Sequence, residues 1–429
     1  MIKKYFLLHS LFLLCFFSAL CQDIDKVINP LEAERIERIL SADDMQGRKT
    51  FTPGIDKAGK YIVDEFSKAG LSFFNDLHSY KQEFSMIKSK FVSAAGNLDG
   101  QALDTKNIIS ISTMAELTIN EHSGYEVVKI GPGSNMVSEA SRYIRGKKNL
   151  LVIVDTSFSQ SFGRLLRFKR ESFKSERNVL FVLSAFIPTK FDIQVKQELS
   201  ESHLANIIGI IPGKSKKDEF VIFSGHYDHL GIGKPNAAGD SIYNGANDDA
   251  AGITAVILLA KYFNQLHNNE RTLVFVAFTA EEIGGFGSRY FSQQMDPDKV
   301  VAMFNIEMIG TQSKWGTNSA YITGYEKSNM GSLLQANLTG SPFHFEPDPY
   351  PSQNLFYRSD NATLAALGVP AHTISTSKMD NEPNYHKVTD EISTLDLENM
   401  TAIIKAIALS SKSIISGKDT PTRVEKPKE

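Results

Sequence analysis

Apolar residues follow two different spacings along the chain, and the two spacings alternate. Between residues 24 and 40 they recur three and four positions apart, which predicts a helix, and similar patterns predict helices near 250–264 and 394–415. Continuous apolar runs at 220–223 and 273–278 predict buried strands. Strands that alternate with helices indicate an α/β fold, with a mixed, mostly parallel sheet covered by helices on both faces.

The segment from 85 to 198 has a different character. It contains short β-like runs near 107–111, 125–130, 149–154 and 178–183, separated by glycine-containing turns. We interpret it as an inserted β-rich domain without chemistry of its own. Residues 22–84 and 199–416 then form the main domain, and the charged residues 417–429 are expected to be a disordered tail.

The first 21 residues predict a secretory signal peptide. Lys3 and Lys4 precede an apolar run at 5–17, and Ala19 is three positions back from a cleavage site after Cys21. The run is short for a membrane span. The alternative of a lipoprotein, lipidated at Cys21, is weakened by Leu20, which stands where a small residue is needed. We therefore expect an exported protein, periplasmic or secreted.

The composition restricts the possible chemistry. Cys15 and Cys21 are the chain's two cysteines, so the mature protein has no thiolate for a metal or a nucleophile and no disulfide. The net charge of -3 gives no argument for nucleic acid as a partner. Any bound metal must be held by His, Asp and Glu.

Such side chains follow the predicted strands. Since the carboxyl ends of parallel strands share one edge of a sheet, we expect them to lie together. The candidates at strand ends and in loops are His226, Asp228, Asp248, Asp249, Glu281, Glu282, Glu307 and His386. This set suits two zinc ions about 3.5–4 Å apart, which need a bridging carboxylate and a His and an acid each. Asp248 is the candidate bridge, and of the adjacent Glu281 and Glu282 one would reach the metal while the other faces the water.

Five motifs make the interpretation more specific. They are Gly225-His226-Tyr227-Asp228, Asn247-Asp248-Asp249-Ala250-Ala251-Gly252, Ala280-Glu281-Glu282-Ile283-Gly284, Asn305-Ile306-Glu307-Met308-Ile309-Gly310 and Tyr385-His386. With these motifs in this order, the sequence resembles the di-zinc exopeptidase family of secreted bacterial leucine aminopeptidases. Glutamate carboxypeptidase II, the transferrin receptor ectodomain and glutaminyl cyclase are relatives. The resemblance implies a zinc-exopeptidase, phosphorylase/hydrolase-like fold, and the insert is similar in position to the family's protease-associated domain.

The resemblance also implies a set of metal ligands. His226 and Glu307 would hold one zinc, Glu282 and His386 would hold the other, and Asp248 would bridge them. Glu307 departs from the family, which usually has Asp at this position.

Catalytic roles follow from the same resemblance. Glu281 is expected to be the general base, and later the acid that protonates the leaving amine. Asp228 is expected to bind the far nitrogen of His226 and fix its tautomer. Tyr385 is a candidate donor to the oxyanion. The family further implies a cis peptide bond between Asp248 and Asp249.

We therefore expect a zinc-dependent exopeptidase that acts on peptides, most specifically an aminopeptidase using a metal-bridging hydroxide. Three alternatives stay open: a carboxypeptidase or dipeptidase, for which Arg358 is the candidate carboxylate-binding residue; a glutaminyl cyclase; and a non-catalytic binding protein. His229 is either a supporting residue of the site or an ordinary buried histidine. Asn361 replaces a His found in many relatives, in a stretch expected near the substrate. The oligomeric state stays open.

Overall fold

The computed structural model describes residues 24–427, so the predicted signal peptide and both cysteines lie outside the described residues. Contacts divide the chain into two compact units. The first unit comprises the residues up to Glu83 together with Ala205 onward, and the second unit comprises Phe84–Leu204. The predicted insert, 85–198, falls within the second unit.

The helices are numbered in chain order: α1 (Pro30–Leu40), α2 (Pro53–Lys68), α3 (Met136–Arg145), α4 (Ala251–Leu266), α5 (Phe286–Gln293), α6 (Met330–Asn337), α7 (Asn361–Ala365), α8 (Leu397–Ser410) and α9 (Lys412–Ile415). The strands are β1 (Lys81–Leu98), β2 (Gln101–Ala102), β3 (Ile108–Ile111), β4 (Glu116–Asn120), β5 (Glu126–Ile130), β6 (Leu150–Val154), β7 (Val179–Leu183), β8 (Phe191–Ile211), β9 (Lys216–His226), β10 (Gly231–Ile232), β11 (Ile242–Tyr243), β12 (Arg271–Phe278), β13 (Val300–Ile306), β14 (Ser319–Ile322), β15 (His344–Pro347) and β16 (Ala371–Ser375).

The sheet of the first unit has the strand order β15-β14-β16-β13-β9-β12-β8. Its four central strands, β16, β13, β9 and β12, are mutually parallel. Strands β8 and β14 run antiparallel to β12 and β16. The prediction of a mixed, mostly parallel sheet is confirmed, and the carboxyl ends of the central strands meet at one edge.

Helices cover both faces of this sheet. Along β12, Leu273 and Phe275 belong to an apolar cluster that includes buried residues of α1, α2, α4 and α8. Val274 and Val276 belong to a second cluster, which includes Phe291 of α5 and residues of α7. Because alternate residues of a strand face opposite sides, coverage on both faces explains why β12 is apolar from Leu273 to Phe278.

The pattern at 24–40 predicts one helix, but residues 24–27 are helical, residues 28–29 interrupt the helix, and α1 begins at Pro30. Asn29 caps its N-terminus by accepting a hydrogen bond from the Glu32 N–H at 3.1 Å. Pro30 follows at the first helical position, where its missing N–H costs nothing. A helix that begins at this pair cannot continue the preceding turn.

The second unit contains a four-stranded sheet in the order β3-β7-β6-β5. The four predicted β-like runs form these strands, and β5, β6 and β7 are parallel. Helix α3, which the apolar pattern does not predict, packs Met136 and Ala140 into the cluster on one face of this sheet. Val137, Tyr143 and Ile144 pack against the same cluster in partly buried positions, so α3 does carry an apolar stripe, which the sequence interpretation does not use.

The expectation of a disordered tail at 417–429 is wrong for residues 418–427. Val424 is 4% exposed and its N–H donates to the Gly368 carbonyl oxygen at 3.1 Å. The guanidinium of Arg423 donates to the carbonyl oxygens of Val300 and Pro297. The composition of residues 418–427 resembles that of a disordered tail. One buried valine and these backbone contacts nevertheless hold the segment against the rest of the first unit.

Candidate metal centre and active site

His226, the last residue of β9, is the centre of one group of ligating atoms. Its Nε2 lies 3.2 Å from Asp248 Oδ1 and 3.3 Å from Glu307 Oε1. Burial opposes the charged imidazolium, but the carboxylates of Glu307 and Asp248 outweigh it and raise the pKa of His226 well above its ordinary value. One nitrogen and two carboxylate oxygens therefore converge in a buried space.

His386 is the centre of a second group. Its Nε2 lies 3.2 Å from Asp248 Oδ2 and 3.3 Å from Glu282 Oε2. Hydrogen bonds to Asp248 and Glu282 raise the pKa of His386 to about 10. The two oxygens of Asp248 thus face different groups, one toward His226 and the other toward His386. This is the arrangement that a bridging carboxylate requires.

Asp248 is held by the loop that precedes α4. The peptide bond between Asp248 and Asp249 is cis, as the resemblance implies. Asp390 accepts hydrogen bonds from the Asn247 N–H at 2.9 Å and the Asp248 N–H at 3.0 Å. Although burial opposes ionisation, the histidines around Asp248, including His226 and His386 that contact its oxygens, hold its pKa below its ordinary value.

Asp249 serves the backbone of three elements. Its Oδ1 accepts from the N–H groups of Gly252 and Met308, at 3.0 and 3.1 Å, and its Oδ2 accepts from the His226 N–H at 3.1 Å. It therefore caps the start of α4 and also ties together the strand ends that carry His226 and Glu307.

Asp228 differs from its expected contact. The Nδ1 of His226 lies 3.0 Å from the backbone carbonyl oxygen of Asp228, whereas the nearer carboxylate oxygen is 3.9 Å away. The carboxylate instead accepts from the N–H groups of Glu281 and Glu282, at 3.0 and 3.3 Å. The backbone carbonyl of Asp228, not its side chain, faces the His226 ring. Asp228 therefore orients the Glu281–Glu282 turn, and burial raises its pKa to about 6.

The longer arm of Glu307 is held at its second oxygen. Ser359 Oγ donates to Glu307 Oε2 at 2.7 Å, and Asn305 Nδ2 donates to Ser359 Oγ at 2.7 Å. Only Oε1 is left to face His226. The Glu at this position therefore fits the group, and a polar network compensates for its extra length.

Arg48 supports the loops of the site, and the sequence interpretation missed it. Its guanidinium is completely buried and donates to the carbonyl oxygens of Leu40, Tyr227, Asn244 and Gly245 at 2.5–2.9 Å. A longer contact of 3.5 Å reaches the Asp248 carbonyl. One side chain from the N-terminal segment thus joins the loop after His226 to the loop before Asp248. Its only local signal is an arginine beside Gly47, which is too common to be informative. Asp390 was missed too, although it lies only four residues after His386.

The cavity in front of both groups is lined by Glu281, Tyr385 and Arg358, among others. The Tyr385 ring stacks on His386 with centroids 4.0 Å apart. Burial raises the pKa of Glu281 well above its ordinary value, and Asp360 and Glu307 add to this. Asn361 does not line this cavity: its amide donates to the Phe356 and Ala371 carbonyl oxygens, so its role is structural.

The donor set of both groups fits zinc, which binds imidazole nitrogen and carboxylate oxygen. Several carboxylates share this space: Asp248, Glu281, Glu282 and Glu307 line one cavity. So many acids are costly to bury together unless cations balance their charge. All five predicted ligands lie in these two groups: His226 and Glu307 in the first, Glu282 and His386 in the second, and Asp248 in both.

Comparisons with solved structures identify the fold. The fold matches that of an aminopeptidase from Aneurinibacillus sp. strain AM-1, with a TM-score of 0.54 and 16% identity over 95% of this chain and 98% of that one. It also matches a zinc aminopeptidase from Bacillus subtilis, with a TM-score of 0.53 and 14% identity over 93% and 98%. The fold is thus that of the bacterial zinc aminopeptidases.

The sequence is similar to one peptidase family. Residues 206–410 match the model of peptidase family M28. A probable zinc metalloprotease of Pyricularia oryzae is 30% identical over 112 residues, which are 26% of this chain and 22% of that protein. The chain spans about a quarter or less of the length of the first curated relatives that it matches. Among residues 24–427, no helix combines the length and apolarity needed to cross a bilayer.

Proposed function

We propose that this protein is a zinc-dependent exopeptidase, and specifically an aminopeptidase that releases N-terminal amino acids from peptides. The observation that carries the proposal is Asp248, whose two oxygens lie 3.2 Å from the Nε2 atoms of His226 and His386. The match of residues 206–410 to the model of peptidase family M28 and the fold shared with aminopeptidases support it.

The proposal includes two zinc ions per chain. His226 and Glu307 would hold one ion, Glu282 and His386 the other, and Asp248 would bridge them. Zinc bound there would lower the pKa of a coordinated water and polarise the scissile carbonyl group.

The chain's own residues would then move the proton and hold the substrate. Glu281, at the carboxyl end of β12, takes a proton from the attacking water and passes it to the leaving amine. Its raised pKa suits the second step, in which it must carry a proton. Tyr385 would donate from its hydroxyl to the developing oxyanion.

We further propose that residues 1–21 direct export and that residues 85–198 form an accessory domain without catalytic residues. The main domain would then consist of 22–84 and 199–416. These assignments predict an N-terminus at Gln22 in protein recovered after export, which N-terminal sequencing would test.

The activity is tested with aminoacyl amides, peptides with free N-termini and the same peptides with blocked N-termini. We expect hydrolysis of the first two, loss after chelation, and recovery when two equivalents of zinc are added. Cleavage of the blocked peptides alone would refute an aminopeptidase, and full activity after thorough chelation would refute the metal mechanism.

Glu281→Gln separates catalysis from metal binding. We expect it to retain zinc but to lose about 100-fold or more in kcat, the usual contribution of a general base. Glu326→Gln, a change at an exposed carboxylate, is the matched control. Normal turnover in Glu281→Gln would remove Glu281 as the base.

A dipeptidase or carboxypeptidase is the second candidate, because a cation borders the same cavity. Arg358 is exposed there, and its guanidinium donates to Gln353 Oε1 at 3.3 Å. Its remaining N–H groups could bind a substrate carboxylate. Free dipeptides and dipeptide amides distinguish the two functions: an aminopeptidase cleaves both, whereas the alternative requires the carboxylate and loses its preference in Arg358→Gln.

A further inference from the structure

His229 is a buried histidine next to the second group of ligating atoms, outside the proposed ligand set. Its Nδ1 lies 2.8 Å from Glu282 Oε1 and 3.9 Å from Asp248 Oδ1. The side chain is 0% exposed. A hydrogen-bond donor therefore stands between two carboxylates that repel each other.

The two nitrogens of His229 have different surroundings. Nε2 is buried and has no hydrogen-bond partner among the described residues. A neutral imidazole carries one N–H, and only the tautomer with the proton on Nδ1 avoids burying an N–H group without an acceptor. In that tautomer, Nδ1 donates to Glu282 and Nε2 keeps an unused lone pair.

The ring of His229 is fixed in place. A Cβ built on Gly245 would lie 2.6 Å from Cδ2 and 2.7 Å from Cγ of the ring, so the ring packs directly on the Gly245 backbone. The His229 N–H also donates to the Arg48 carbonyl oxygen at 3.2 Å. The donor is thus preorganised and does not follow the movements of Glu282.

We propose that His229 is a positioning residue that holds Glu282 Oε1 and thereby directs Glu282 Oε2 toward His386. The two oxygens of Glu282 have different contacts, as this role requires. Oε2 lies 3.3 Å from His386 Nε2, while Oε1 contacts His229. Without the donor, repulsion by Asp248 would turn Glu282 away. The inference rests on the proposed function, because this orientation of Glu282 matters only if Glu282 and His386 bind the second zinc ion.

Two substitutions at one position test the inference. His229→Asn keeps a donor near the place of Nδ1, and His229→Leu fills a similar volume without one. Zinc is titrated into the metal-free full chain in competition with a chromophoric chelator. We expect one of the two zinc sites to lose about 10- to 100-fold in affinity in His229→Leu, the usual effect of removing a partner of a ligand. His229→Asn should stay within a few-fold of the wild type.

Equal losses in both variants would refute the positioning role and favour His229 as a direct ligand, and no loss in either would also refute it. Long-range ¹H–¹⁵N spectra of the metal-free protein, labelled on histidine, supply a readout that needs no zinc. The His229 resonance, assigned by its absence in His229→Asn, should show the proton on Nδ1. A proton on Nε2 would overturn the hydrogen bond itself. If the wild type binds no zinc, the proposed function fails, while the spectra still decide the contact of His229.

Discussion

Arg48→Met should destabilise the first unit strongly, although Arg48 lies far from the motifs in sequence. The arginine is completely buried, and the acceptors of its hydrogen bonds are backbone carbonyl oxygens. Methionine has a similar length and flexibility but no donor. The substitution therefore keeps much of the packing and removes the bonds that join three segments.

The magnitude follows from the contacts. Four carbonyl oxygens lie within 2.9 Å of the guanidinium, and each buried acceptor left without a partner costs about 1–3 kcal/mol. Removal of a charge that is itself costly to bury offsets part of this loss. We expect a net decrease of about 3–5 kcal/mol in the free energy of unfolding, which is less than the full cost of four unpaired acceptors at about 1–3 kcal/mol each. Arg48→Lys, with three N–H donors, should lose less.

Urea unfolding of the full chain with chelator present measures this loss. Trp315 is the only tryptophan of the sequence and belongs to the first unit, so its fluorescence reports on that unit. Arg38→Met is the matched control, because Arg38 lies on the same segment but is 63% exposed and pairs with Glu34 on the helix surface. Such pairs contribute about 0.3–0.5 kcal/mol. If Arg48→Met unfolds within about 1 kcal/mol of Arg38→Met, the carbonyl contacts do not stabilise the unit.

Three further changes have defined outcomes. Asp390→Asn removes one of the acceptors that hold the loop of Asp248, so zinc affinity should fall about 10- to 100-fold in chelator competition, and unchanged affinity would contradict this role. Burial lowers the pKa of His372 to about 4, so the folded state binds fewer protons than the unfolded state, whose pKa is about 6.5. The stability from this group is complete above pH 6.5 and falls by about 1.4 kcal/mol per pH unit toward pH 4; urea unfolding of His372→Gln should show a shallower pH dependence, and an equal slope would refute the assignment. Val424→Ala should cost about 2 kcal/mol in the same assay, whereas no change would mean that residues 418–427 do not contribute packing.

Local patterns predict the strands and the edge where the site forms. The apolar runs of β9 and β12 are continuous because both faces of these strands are buried, and this is visible in sequence. The ligating residues follow directly at the strand ends, so their approximate location follows from the fold class. The confirmed family resemblance adds their order.

Contacts between distant segments could not be predicted in this way. Arg48 reaches carbonyl oxygens about 180–200 positions later, and backbone carbonyls carry no sequence signal. The carboxylate of Asp228 binds the N–H groups of Glu281 and Glu282, more than 50 positions later, and residue types do not specify this contact. The tail at 418–427 has a disordered composition but finds an apolar site on the first unit, at a place that only the tertiary structure creates.

The discontinuous first unit has a consequence for biosynthesis. Ile36, Leu40, Ile62 and Phe66 of α1 and α2 are buried in a cluster with residues of α4, and α4 follows the whole of Phe84–Leu204 in the chain. At roughly 5–20 residues per second, a ribosome needs on the order of ten seconds to make the intervening segment. During that time the apolar faces of the first two helices have no partner, while the second unit already contains all of its own strands. The nascent chain should therefore depend on chaperones most strongly before α4 emerges, and release from them should coincide with formation of the site.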